Sequence, residues 1–245
     1  MFEVKDLKVI IKENDEEIVK GIDFQVEKSS INFLLGKNGS GKSSFLMSLF
    51  GSENYEVSEG GAFLDGQDVL ELDIEEKIFK GMFLSFQSPV GIPGLTVSNF
   101  LKHSINSVKR GRGEKPLSAP QFFRQLREAM EVVGIDDEWL KKDINVGFSG
   151  GEKKKLEMLQ MILLEPKIAF LDEPDSGVDV NAVELIASCI KYMKERFGTA
   201  FVVVSHYEKL LRILDVDRVS IMKDGKIVAS GGKELAEETL EKGFE

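Results

Sequence analysis

The chain has 245 residues, of which 42% are hydrophobic and 30% charged, and it carries a net charge of −10. No apolar run approaches the roughly 18 residues a membrane-spanning helix needs, the acidity opposes nucleic-acid binding, which relies on lysine and arginine to displace counterions, and a single cysteine, Cys189, excludes an internal disulfide. Cys189 sits in an apolar-periodic segment and reads as core packing. The N-terminal stretch MFEVKDLKVIIKENDEE has acids where a secretory leader has a positive and then an apolar region, so a cytoplasmic location is expected.

Taken in order, Phe2, Val4 and residues 9–11 form one apolar set, and Ile18, Val19, Ile22, Phe24 and Val26 form a second across the polar turn 12–17. That pattern predicts an antiparallel hairpin. Residues 31–50, INFLLGKNGSGKSSFLMSLF, then read as strand, glycine-rich turn and helix. Residues 36–43 fit G-x-x-x-x-G-K-[ST], in which the small residues let backbone N–H groups cradle phosphate oxygens at a helix N-terminus. The candidate phosphate-binding residues are therefore Gly36, Lys37, Asn38, Gly39, Ser40, Gly41, Lys42, Ser43 and the adjoining Ser44. Lys42 is expected to reach the β- and γ-phosphates, and Ser43 to hold Mg²⁺ through its hydroxyl, because that small hard ion prefers oxygen.

Residues 60–70 suggest a short strand with an Asp65-Gly66 turn, and residues 81–86 a core strand ending at Gln87. The character changes at residues 89–94, PVGIPG. Helical periodicity follows over 96–110 and 121–133, with a short third helix over 136–142 carrying Trp139. Residues 89–148 are thus expected to be a helical subdomain. It separates residues 1–88, the first part of a catalytic α/β core with an antiparallel β subdomain, from residues 149–245, the second part. The basic residues Lys109, Arg110, Arg112 and Lys115 lack interleaved aromatics and read as a solvated loop.

FSGGEKKK at residues 148–155 opens another helix, and Ser149 with Glu152 makes a capping box. Adjacent glycines leave N–H groups open, and Lys153, Lys154 and Lys155 stand where the helix dipole disfavours positive charge; a nearby anion would account for both. The apolar run 168–171 delivers Asp172 and Glu173. Downstream of a phosphate loop, Asp172 is suited to the Mg²⁺ shell and Glu173 to orienting and polarising the attacking water. DSGVD at 175–179 is a tight turn into a helix over 180–194, and the strand 200–205 ends at His206, where ligands bind in open α/β sheets. A hairpin over 219–230 turns on Asp224-Gly225, and an acidic helix covers 233–242.

In this order the motifs resemble those of the ABC-type ATPases over nearly the whole chain: the phosphate loop, Gln87 after a core strand, FSGGE at 148–152, the strand ending in Asp172 and Glu173, SGVD at 176–179, and His206. The resemblance implies a P-loop NTPase core with a mostly parallel sheet. It further implies a transient head-to-tail homodimer, with each ATP held between the phosphate loop of one copy and Ser149, Gly150 and Gly151 of the other, Asp179 lining the same site. Gln87 would sense Mg²⁺ and water, and His206 would contact the γ-phosphate. Within that family ENYEV (53–57), FQSPVGIPG (86–94), INVGFSGGEKKK (144–155), LQMILLEP (159–166) and SHY (205–207) resemble the SufC family of iron–sulfur cluster assembly ATPases, which implies a SufB/SufD-type scaffold as partner. Pro174 instead resembles transporter ATPases, so the alternative is the ATP-binding subunit of a membrane transporter. No aromatic lies between positions 9 and 19 to stack on adenine, which leaves base recognition apolar and loose, and no N-K-x-D motif for guanine occurs.

Overall fold

The computed structural model describes residues 1–85, 89–205 and 209–242. In chain order the elements are β1 (Phe2–Ile11), β2 (Glu16–Val26), β3 (Ile31–Leu35), α1 (Lys42–Leu49), β4 (Tyr55–Leu64), β5 (Gln67–Asp68), α2 (Ile74–Lys80) and β6 (Met82–Ser85). There follow α3 (Val97–Gly111), α4 (Ala119–Val133), a 3₁₀ turn (Asp137–Lys141), α5 (Gly150–Leu164), β7 (Ile168–Asp172) and α6 (Val180–Phe197). The chain continues through β8 (Ala200–Ser205), α7 (Lys209–Ile213), β9 (Arg218–Lys223), β10 (Lys226–Gly231) and α8 (Lys233–Lys242).

Two sheets result. Four antiparallel strands run β2-β1-β4-β5, and six strands run β10-β9-β3-β8-β7-β6. In the larger sheet β9, β3, β8, β7 and β6 are mutually parallel, and only the β9–β10 hairpin is antiparallel. A parallel strand buried on both faces needs an unbroken apolar run, and β3, β7 and β8 are buried along their whole length. Because side chains alternate across a strand, Phe33, Leu171 and Val203 enter a core shared with α3 to α6, whereas Leu34, Phe170 and Val204 enter a second core shared with α1 and the small sheet. Phe170 joins the layers of that second core, meeting Phe2 edge-on at 5.2 Å and Phe50 at 5.6 Å. The expected α/β P-loop architecture is what the chain adopts.

Three local expectations change. The strand expected near residue 60 begins at Tyr55, because Tyr55 and Val57 continue the alternation and pair with Ile11 and Val9 of β1. Helix α2 was not foreseen; its start is fixed by a capping box in which Glu76 accepts from the Asp73 N–H at 3.0 Å. Arg112 is half-buried and held in place: its guanidinium donates to the carbonyls of Phe79 (3.1 Å) and Leu164 (3.3 Å). Among the described residues no helix is long and apolar enough to cross a membrane.

Candidate functional site

The centre of the site is the turn between β3 and α1. A Cβ added to Gly36 would lie 2.3 Å from the Met222 carbonyl and 2.7 Å from Ser40 Oγ, so only glycine lets this loop close against β9. Gly41 adopts φ 102°, open to glycine without strain. The far side of the loop is pinned where the Gly225 N–H donates to the Ser40 carbonyl at 3.0 Å. Helix α1 has no side-chain N-cap and no acid in its first turn, which leaves its N–H groups facing whatever occupies the loop.

Lys42 is 4% exposed and folds back over the loop, its Nζ donating to the carbonyls of Gly36 (2.8 Å) and Lys37 (2.9 Å). Burial holds its pKa below the usual lysine value, opposed by the nearby Glu173 and Asp172 carboxylates. Ser40 Oγ is buried with no hydrogen-bond partner. A buried cation over the loop and an unpartnered hydroxyl within it are donors that a phosphate would satisfy. A triphosphate therefore fits the residues present.

Ser43 Oγ donates to Asp172 Oδ1 at 3.1 Å, bringing together two hard oxygen donors that the sequence keeps 129 residues apart. Asp172 is 1% exposed, and burial raises its pKa, an effect opposed by the Ser43 hydrogen bond. A buried, costly carboxylate paired with a hydroxyl suits Mg²⁺. Immediately after it the backbone leaves the sheet: Glu173 has φ 47°, with its N–H donating to the Val204 carbonyl at 2.9 Å. The left-handed conformation costs a non-glycine residue roughly 1–2 kcal/mol, strain of the kind that accumulates at functional sites.

One contact here was not foreseen. Ser205 Oγ donates to both oxygens of Asp175 (3.0 and 3.3 Å), each residue being fully buried. This ties the turn after β7 to the strand end that precedes His206. The signal was a carboxylate within the tight turn 175–179 and a hydroxyl closing an apolar strand. Gln87 and His206 themselves lie outside the described residues.

The structure does not bring Ser149, Gly150 and Gly151 onto the phosphate loop of the same chain. Helix α5 packs on α3, α4 and α6, whereas α1 packs on β1, β2, β4 and β7. Ser149 is exposed and engaged in its cap: its Oγ accepts from the Glu152 N–H (3.3 Å), and Glu152 accepts from the Ser149 N–H (2.8 Å). That hydrogen bond holds the Glu152 carboxyl below its usual range. A Cβ on either glycine would meet open space. Two of the three lysines that suggested an anion have partners within the chain: Lys154 forms a buried pair with Glu157 (2.9 Å) and Lys155 donates to the Gly134 carbonyl (3.2 Å). Asp179 is exposed and caps α6, accepting from the Ala182 N–H at 2.9 Å.

A second feature is an apolar groove of ≈ 600 Å³ lined by Ile78, Phe79, Phe83, Val90, Ile92 and Ile144 among others. The segments around residues 90–92 and 144–145 are joined there by the Ile92 N–H donating to the Ile144 carbonyl (3.0 Å) and by Asn145 Nδ2 donating to the Val90 carbonyl (3.2 Å), while Asn145 Oδ1 stays buried without a partner.

Comparison with known proteins agrees with this geometry. The family model described as ABC transporter matches residues 19–176. The chain is 40% identical over 243 residues to Vegetative protein 296 of Bacillus subtilis (strain 168), covering 99% of this chain and 91% of that protein. It is 37% identical over 244 residues to the chloroplastic ABC transporter I family member 6 of Arabidopsis thaliana, covering 100% of this chain and 72% of that protein. Its fold matches a dimeric, post-hydrolysis structure of the ATP-binding cassette MJ0796 bound to ADP and Pi, with a TM-score of 0.81 and 20% identity over 95% of this chain and 99% of that one.

Proposed function

Because the chain belongs to the ABC transporter family, and is an ATPase whose relatives are consistent with the SufC type, we propose that two copies close head to tail on two ATP molecules and transmit the closure to a soluble iron–sulfur cluster scaffold of the SufB/SufD type. In this reading Lys42 leaves the Gly36 and Lys37 carbonyls for the β- and γ-phosphates. Ser43 and Asp172, with Gln87, hold Mg²⁺, which neutralises charge on the phosphate oxygens when bound. Glu173 orients and polarises the attacking water, and His206 contacts the γ-phosphate. Ser149, Gly150, Gly151 and Asp179 of the opposing copy complete the pocket. Phosphoryl transfer asks little covalent chemistry of a protein, so positioning and charge compensation suffice. The output is conformational: ATP shifts the pair toward closure to the extent that it binds the closed form more tightly.

The observation that carries the partner assignment is the groove. FQSPVGIPG and INVGFSGGEKKK, two of the SufC-like stretches, contribute Val90, Ile92, Ile144 and Asn145 to one apolar cleft. Val90 is 78% exposed there. A docked scaffold element would cover Val90 and the loop that follows Gln87 in the sequence. Such a complex is cytoplasmic, and the acidity of the chain leaves no part for nucleic acid.

The test is recovery of the intact complex from the host, with Ile92→Asp as the comparison. A soluble assembly that forms with the wild type and not with the variant supports the reading. Recovery only with detergent-extracted membranes would replace it with the transporter reading, which Pro174 favours.

A further inference from the structure

Residues 173–179 join the end of β7 to the start of α6 and carry Glu173. Two other carboxylates anchor this turn, in opposite ways. Asp179 is exposed and caps α6 through the Ala182 N–H, as a surface acid can. Asp175 is only 2% exposed. A carboxylate is costly to bury unless donors meet its oxygens, and both Asp175 oxygens accept from Ser205 Oγ, at 3.0 and 3.3 Å, with Ser205 itself fully buried. A local cap needs no such burial, so the contact secures more than the turn itself.

The strand register identifies what it secures. Ser205 closes β8 and pairs with Leu35, the last residue before the phosphate loop. Its neighbour Val204 pairs with Asp172, and the Val204 carbonyl accepts from the Glu173 N–H at 2.9 Å. Strand β8 thus stands between the phosphate loop and the turn, and the Ser205–Asp175 contact fixes one against the other across the sheet. Glu173 sits between these two attachments at φ 47°, and a non-glycine residue stays in that left-handed region only where its surroundings over-determine it. Released at Asp175, the turn can relax toward an unstrained backbone, and the Glu173 carboxylate moves with it. We infer that Asp175 and Ser205 are positioning residues for hydrolysis, setting the distance and aim of Glu173 relative to the phosphates without touching nucleotide or water themselves.

The inference rests on the role given to Glu173 under the proposed function. Phosphate release at saturating Mg-ATP gives kcat for the full chain, and calorimetric titration with the non-hydrolysable analogue Mg-AMP-PNP gives affinity. Ser205→Ala should lower kcat about 10- to 100-fold, the upper figure being the cost of a misplacement of about 1 Å at a reacting centre, and leave affinity within about twofold, because no donor of the phosphate loop changes. Asp175→Ala should show the same split, and the double variant should be no slower than the slower single one, since all three lose the same contact. Asp175→Asn keeps an oxygen for the Ser205 hydroxyl and should recover most of kcat. A wild-type kcat in Ser205→Ala, losses that multiply in the double variant, or an equal fall in affinity would overturn the inference. Should Asp175→Ala fail to fold, Ser205→Ala removes a single oxygen atom and decides by the same split. Glu173→Gln separates the two readings: hydrolysis at the wild-type rate would sink the role of Glu173 and the inference with it, whereas an inactive Glu173→Gln beside an unslowed Ser205→Ala would sink the positioning role alone.

Discussion

Ser149 has a contact within its own chain and a proposed one across the dimer, and two substitutions separate them. Its Oγ caps α5 through a 3.3 Å hydrogen bond, long for its type, so Ser149→Ala should cost about 0.5–1 kcal/mol, the low end for a lost cap. For a chain of this size that lowers the melting temperature by roughly 1–4 °C. Ser149→Asp keeps an equally good cap acceptor and adds a favourable charge at the helix N-terminus, so the melting temperature should hold or rise. Yet it sets a carboxylate against the triphosphate of the opposing copy, and like charges so placed cost several kcal/mol. On a Glu173→Gln background with Mg-ATP, sedimentation should show dimerisation weakened at least about 100-fold by Ser149→Asp and the monomer as stable as its parent. A pH series supplies an internal check. The Glu152 carboxyl, held below its ordinary value by the Ser149 N–H, contributes stability above that ordinary value and loses it as pH falls through the lowered one. A Ser149→Asp protein that dimerises with its parent's affinity would show that this cap never faces a nucleotide.

Two further outcomes are expected. Asp172→Asn removes a carboxylate whose burial disfavours its charged form, so the nucleotide-free protein should melt at the same or a higher temperature while Mg²⁺-dependent hydrolysis is lost; a lower melting temperature with hydrolysis retained would count against the Asp172 role. Cys189 is fully buried, and burial pushes its thiol up to about 12, so it should resist alkylation at pH 8 in the native state and react once the chain is unfolded. Native reactivity at the rate of the unfolded chain would mean α6 does not pack as described.

What the sequence disclosed was local. The phosphate loop was legible because strand, glycines and lysine lie within a dozen residues, and β7 and β8 were legible because a strand buried on both faces is apolar throughout. Helix α2 was missed because seven residues are too few to display a period, although the Asp73–Glu76 cap marked its start. That Lys154 and Lys155 have partners within the chain, in Glu157 and the Gly134 carbonyl, was not legible, because the second partner lies some twenty residues away. The hydrogen bond between Ser44 and Tyr55 was not legible, because it depends on how β4 registers on β1 and how α1 packs beneath both. The groove is likewise assembled from segments near residues 78, 92, 104 and 144.

The central claim is that nucleotide joins two copies of this chain through surfaces that do not meet within one. The mass of the Glu173→Gln protein in solution, with and without Mg-ATP, tests it most directly. A single-chain mass that doubles only with nucleotide is expected; a mass that stays single at saturating ATP, with the scaffold present or absent, would contradict the account.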